Sequence, residues 1–161
     1  MADWTGVYLK QVLVAGSGVA GAGYAVFSAG MAIFRLLGDA VTKRLGPVLT
    51  LRTGALVAAF GLVLALAAHS PIWALPGLAL TGVGFSVIVP LVFGASGRVR
   101  SLSTGAGVAM VSGFGYIGFL FGPPLIGFVA QVISLRAALC LIVALSLAVA
   151  ILANAVHGTE E

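Results

Sequence analysis

Charge is so sparse in this sequence that its placement decides the fold class. The 24 residues between Lys10 and Arg35 carry no Asp, Glu, Lys or Arg, and neither do the 45 between Arg52 and Arg98. Two more such runs follow, one from Ser101 to Arg136 and one from Ala137 to about Val156. A helix crosses the hydrocarbon core of a bilayer with about 20 apolar residues, so each run is one span or more. The 45-residue run is too long for one helix, and His69-Ser70-Pro71 divides it. The sequence therefore predicts spans near 19–37, 51–68, 72–95, 104–131 and 137–156, preceded by a short apolar stub at 2–9. The runs are continuously apolar and do not alternate, which selects helices over a barrel. The predicted class is all-α integral membrane. Only 7% of residues are charged, against about 25% in soluble domains, and so few charges cannot cover a water-facing surface.

The basic residues that remain sit at the ends of apolar runs. One set of predicted loops holds Lys43, Arg44, Arg52, Arg98 and Arg100, the opposite set Lys10 and Arg136. Positive residues favour the cytoplasmic side, so the first set, and with it the C-terminus, is predicted to be cytoplasmic. Arg35 falls about a turn inside the same end. The net charge of +4 is dispersed, which argues against a nucleic-acid partner. The single cysteine, Cys140, lies in an apolar run and reads as a buried packing residue; one cysteine allows no disulfide within the chain. Asp3 stands where a signal peptide would be basic, and the opening looks like the tail end of a membrane helix.

Glycine supplies the second pattern. Gly113, Gly115, Gly118, Gly122 and Gly127 fall in one uncharged stretch that also contains Pro123-Pro124. Each such glycine costs a soluble helix roughly 1 kcal/mol relative to Ala, but in a bilayer small residues let helices approach closely. The two prolines lack backbone donors and predict a kink. An earlier stretch repeats the pattern: Gly21-Ala-Gly23-Tyr24-Ala-Val-Phe27-Ser-Ala-Gly30 and Gly113-Phe-Gly115-Tyr116-Ile-Gly-Phe119-Leu-Phe-Gly122 both read G-x-G-Y-x-x-F-x-x-G. The two spans run in opposite directions, as an inverted 3+3 repeat requires. Stub and first two spans form one repeat; the last three form the other.

Few side chains can carry chemistry. Asp3 is an acid within a presumed membrane helix, a position that makes an ionisable group a functional candidate. Asp39 with Lys43 and Arg44 forms a candidate cytoplasmic gate, because an acid facing bases can hold one conformation. Trp4, Tyr8, Tyr24 and Tyr116 are candidates to line a solute path, although packing and interfacial anchoring use the same residue types. Phe27 and Phe119 read as packing, Gln131 and Asn154 as headgroup contacts, and His69 and His157 as loop and tail residues without metal-ligand spacing. No phosphate-binding loop, nucleophile elbow or zinc motif is present. No enzymatic activity, metal or cofactor is expected.

These residues resemble the C-terminal half of a major facilitator superfamily transporter, with most likeness to bacterial inner-membrane members of the fucose-permease and sugar or drug exporter groups. Asp3-Trp4-Thr5-Gly6-Val7-Tyr8-Leu9 resembles the end of the family's seventh helix, and Gly23-Tyr24 to Ala32 its eighth, followed by Arg35-Leu-Leu-Gly-Asp39. Gly82 to Arg98 is similar to the tenth helix and Tyr116 to Gly127 to the eleventh. The resemblance implies a half-bundle of five full helices and a truncated one, and transport of a small solute by alternating access, with proton coupling an option. It also implies the lipid bilayer, a solute, and a missing N-terminal half or second copy as partners. Two departures stand out. Lys43 occupies the place of the family's usual acid before Arg44-Leu-Gly46, and Pro47-Val48 follow where bases are usual. The chain also has one half where the family has two. A non-transporting membrane remnant or helical partner subunit is therefore the alternative reading.

Overall fold

The computed structural model describes residues 1–98 and 103–156. Arg100 and His157 lie outside them. Six helices follow in order: α1 (Ala2–Gln11), α2 (Ser17–Leu45), α3 (Pro47–Ala67), α4 (Pro71–Ser96), α5 (Thr104–Val132) and α6 (Leu135–Leu152), the last ending in a 3-10 turn over Ala153–Val156. The described residues contain no strand. Five of the helices, α2 to α6, are long and apolar enough to cross a membrane. The all-α membrane class read from the charge pattern is the class observed.

The helix ends have local causes. Gly46 alone separates α2 from α3, with φ +78°, a backbone conformation open to glycine at little cost. Pro47 then opens α3 and Pro71 opens α4, where the missing donor is not needed. Ser103 and Ser134 cap α5 and α6: their hydroxyls accept from the backbone N–H of Ala106 at 3.3 Å and of Ala137 at 3.1 Å, each replacing a partner the first turn lacks.

One expectation needs correction. The first full span is expected to end near residue 37 with a loop beyond it, but α2 continues to Leu45. No Gly-Pro break stands between Arg35 and Leu45, and charge alone does not end a helix. Asp39, Lys43 and Arg44 are therefore helical, the last two within the final turn of α2.

The packing centre is α4, which lies between α2 and α3; α3 also packs on α6, and α1 on α2. Glycines make this possible. A methyl group built on Gly30 would stand 2.6 Å from the Ala79 carbonyl oxygen, and one on Gly61 2.7 Å from that of Gly77. Gly82 sits against the Phe27 carbonyl on α2, whereas Gly84 sits against Ala58 and Gly54 on α3. Two residues apart, these two glycines press opposite faces of α4 onto different neighbours. Close approach of this kind is how membrane helices gain dispersion energy without a water-driven force between them. At one end of the bundle Tyr8, Leu9, Ala20, Ala65, Ala74, Leu78, Leu135 and Leu139 form a buried cluster drawn from five helices.

Helix α5 is the exception. It rests mainly on α6 and buries only Gly107. Nothing lies within 4 Å of a methyl built on Gly113, Gly115, Gly118 or Gly122, and only the Trp4 ring, at 3.8 Å, approaches Gly127. The glycine-rich stretch expected to let helices approach closely thus has no close neighbour here. Pro123 and Pro124 fall inside a helix that continues past them to Val132, leaving the carbonyls four residues back, at Phe119 and Leu120, without helical donors.

Candidate functional site

Two grooves and a cleft receive the charged and aromatic candidates. The first, of about 430 Å³, lies between α1 and α2 and is lined by Asp3, Lys10, Ser17 and Tyr24 among others. The second, of about 1220 Å³, runs between α2, α4 and α6 and reaches Phe119 of α5; Met1 and Ala2 also line it. Its lining is apolar apart from a few groups, including Tyr24, Ser28, Ser146 and Arg35. Tyr24 thus faces both grooves. The cleft, of about 330 Å³ between α2 and α4, brings Arg35 and Asp39 together with Thr42 and Ser86.

Asp3 is exposed in the first turn of α1, and Trp4 is half-buried beside the core cluster. Tyr116, 75% exposed, is far from being enclosed. Tyr8 meets neither groove. It is 1% exposed, and its hydroxyl donates to the Ala65 carbonyl at 3.2 Å, with that of Leu66 at 3.4 Å. Its ring joins α1 to the end of α3, which makes packing its observed role. Tyr8→Phe is expected to lower stability by about 1 kcal/mol in a thermal melt of the detergent-extracted protein. Cys140 is exposed on α6, a correction to the buried position expected from its apolar surroundings. Asp39, Lys43 and Arg44 are exposed along α2. Among the described residues, none of their side chains hydrogen-bonds to another helix. No three His, Cys, Asp or Glu among the described residues could share a metal ion.

Sequence reasoning missed a pair of arginine links. Arg52, in the second turn of α3, donates from Nε to the Ala150 carbonyl at 3.3 Å and from Nη2 to Asn154 Oδ1 at 2.9 Å. At the other end, Arg136 in the first turn of α6 donates from Nη2 to the Ala68 carbonyl at 3.3 Å. Each helix thus supplies a guanidinium to the C-terminal carbonyls of the other, where the helix dipole favours a cation. The only sequence signal was an arginine near the start of each helix, read as topology.

The sequence from Trp4 to residue 159 matches one family model, Major Facilitator Superfamily. The chain belongs to the Major Facilitator Superfamily. It is 38% identical over 156 residues to an uncharacterized MFS-type transporter of Yersinia pestis, covering 97% of this chain and 41% of that protein. It is 34% identical over 150 residues to the membrane protein MosC of Rhizobium meliloti, covering 93% and 37%. An uncharacterized transporter of Sinorhizobium fredii is 30% identical over 151 residues, covering 94% and 40%. The chain therefore spans about two-fifths of the length of these curated relatives. No solved structure gives a significant match. As a superfamily member with five membrane-spanning candidates, it is a multi-pass membrane protein of a transporter family.

Proposed function

We propose that the chain is the C-terminal half of a secondary transporter that moves a small solute across the inner membrane by alternating access. The observation that carries this reading is a family match over nearly the whole chain, combined with relatives more than twice as long. In such folds the solute site lies between repeats near the middle of the bilayer. Tyr24, set on two grooves, and Asp3 at the mouth of the first are then the candidates for solute or proton contact. Lys43 and Arg44 anchor the cytoplasmic end, and Asp39, beside Arg35 in the cleft, contributes to the gate. The C-terminus is cytoplasmic on this reading.

The first test is the size of the polypeptide in source membranes, detected with an antibody to the C-terminal residues. A band at more than twice 16.1 kDa supports a two-half transporter, and uptake is then assayed with that protein in proteoliposomes. There Asp39→Asn is expected to reduce uptake by about tenfold, equivalent to roughly 1.4 kcal/mol in the gating equilibrium, without reducing the amount of protein. Full activity in Asp39→Asn would remove Asp39 from the gate. A band at 16.1 kDa would instead favour the non-transporting module, a reading to which the uncovered face of α5 lends support.

A further inference from the structure

The first copy of G-x-G-Y-x-x-F-x-x-G divides between two jobs. Gly23, Phe27 and Gly30 press against Leu78, Gly82 and Ala79 of α4. Gly21, by contrast, has nothing within 4 Å of a built methyl, and it lines the 430 Å³ groove beside Tyr24. The opposite wall of that groove is α1. A short connection, residues 12–16, makes the two helices antiparallel. Gly6 sets their register, since a methyl built on it would stand 3.5 Å from the Ala20 carbonyl oxygen. Asp3 then lies level with Tyr24, and Lys10 level with Ser17, one pair toward each end of the groove. At 1.5 Å per residue, the two charges are separated by about 10 Å along α1. That is too far for the direct pairing that residues three or four apart make. Among the described residues, the side chains of Asp3, Lys10, Gln11, Ser17 and Tyr24 make no hydrogen bond within the fold.

We propose that this groove binds a zwitterionic solute of amino-acid type, its ammonium group between the Asp3 carboxylate and the Tyr24 ring and its carboxylate toward Lys10. Charge complementarity selects this class. The groove presents one acid toward one end and one base toward the other, with a largely apolar wall between them. An ammonium ion gains from a carboxylate and from the face of an aromatic ring. A carboxylate gains from Lys10 and from the donors of Gln11 and Ser17, which line the same end. Helical side chains tilt toward the N-terminus, which directs Lys10 back toward Asp3 and shortens the distance a solute must bridge. A neutral sugar would leave both charges unused, and a simple amine or acid would use only one. The volume of the groove is within the range of about 300–1,000 Å³ found for small-molecule sites. Gly6 and Gly21, without side chains, leave room in its middle. This inference deepens the transporter reading and rests on it for the fate of the bound solute.

The test uses the full polypeptide as its host makes it, extracted in detergent and melted with four probes at millimolar concentration. These are 5-aminopentanoate, the matched pentylamine and pentanoate, and glucose. The zwitterion is expected to raise the melting temperature by at least about 2 °C, and each of the others by less than half as much. Asp3→Asn is expected to abolish the shift, and Lys10→Gln to reduce it to the value pentylamine gives. Gly21→Leu fills the groove from a position with nothing within 4 Å. It is expected to abolish the shift while leaving the unliganded protein within about 2 °C of its original melting temperature. Gly94→Leu, equally unobstructed, is expected to keep the full shift. Protection by glucose, pentylamine or pentanoate equal to that of the zwitterion would overturn the proposal. So would a zwitterion shift that survives Asp3→Asn, or a large loss of stability in unliganded Gly21→Leu, which would mean that another part of the polypeptide covers the groove. Binding is read here without transport. Protection by the zwitterion with no uptake in proteoliposomes would count against the transporter reading and leave the site standing, whereas uptake of another solute without such protection would do the reverse.

Discussion

Replacing Gly82 with leucine is expected to cost at least about 3 kcal/mol and to lower the melting temperature by roughly 10 °C. The reason is that backbone stands on the far side of the contact. A Cβ at this position collides with the Phe27 carbonyl and stands 3.2 Å from the Met31 nitrogen, and neither atom can rotate away as a side-chain tip can. Room for the new side chain comes only from moving α2 off α4, which also parts Gly30 from Ala79 and the Phe27 ring from Phe85. Gly94→Leu on the same helix meets nothing within 4 Å and is expected to change stability by less than about 0.5 kcal/mol. Thermal melts of the two variants in one detergent decide the matter. Equal stability would mean that α2 and α4 are not in the tight contact described.

Arg52→Gln is expected to cost about 2 kcal/mol, the range for charge-assisted bonds lost from a partly buried site. Asn154→Ala removes only one of the two acceptors and is expected to cost about 1 kcal/mol. Because they share a bond, the double variant should lose less than the sum, with a coupling of at least about 0.5 kcal/mol. Arg136→Gln, which breaks a single exposed bond of 3.3 Å, is expected to cost less than Arg52→Gln. Denaturation in mixed micelles measures all four. Strict additivity between positions 52 and 154 would show that the link does not hold α6 to α3.

The helices were legible because hydropathy and charge act locally: four uncharged runs, one of them divided at Pro71, gave five long helices. What sequence could not say was which face of a helix has a neighbour. Gly113 to Gly127 is suited to close helix approach because glycine permits it, but permission does not supply a partner. Gly82 and Gly84, in a less conspicuous stretch, are the ones pressed against backbone. Cys140 misled for the same reason, since an apolar run on α6 has a covered side and an open one. Tyr8 was ambiguous until its partner was known, and that partner, Ala65, is 57 residues away. The link from Arg52 to Asn154 spans 102 residues, beyond any local pattern. Among the site candidates, Asp3 and Tyr24 were found to share a groove, whereas Tyr116 stands apart on α5.

Gly46 has a mechanical consequence. A single residue joins α2 to α3, and the ring of Pro47 fixes the next φ. Such a joint contains no slack, so the last turn of α2 and the first of α3 behave as the two arms of a bent lever. Lys43 and Arg44 sit at the tip of one arm, and Arg52, tied to α6, is on the other. A displacement of the α3–α6 pair is therefore passed through one residue to the turn of α2 that carries Lys43 and Arg44.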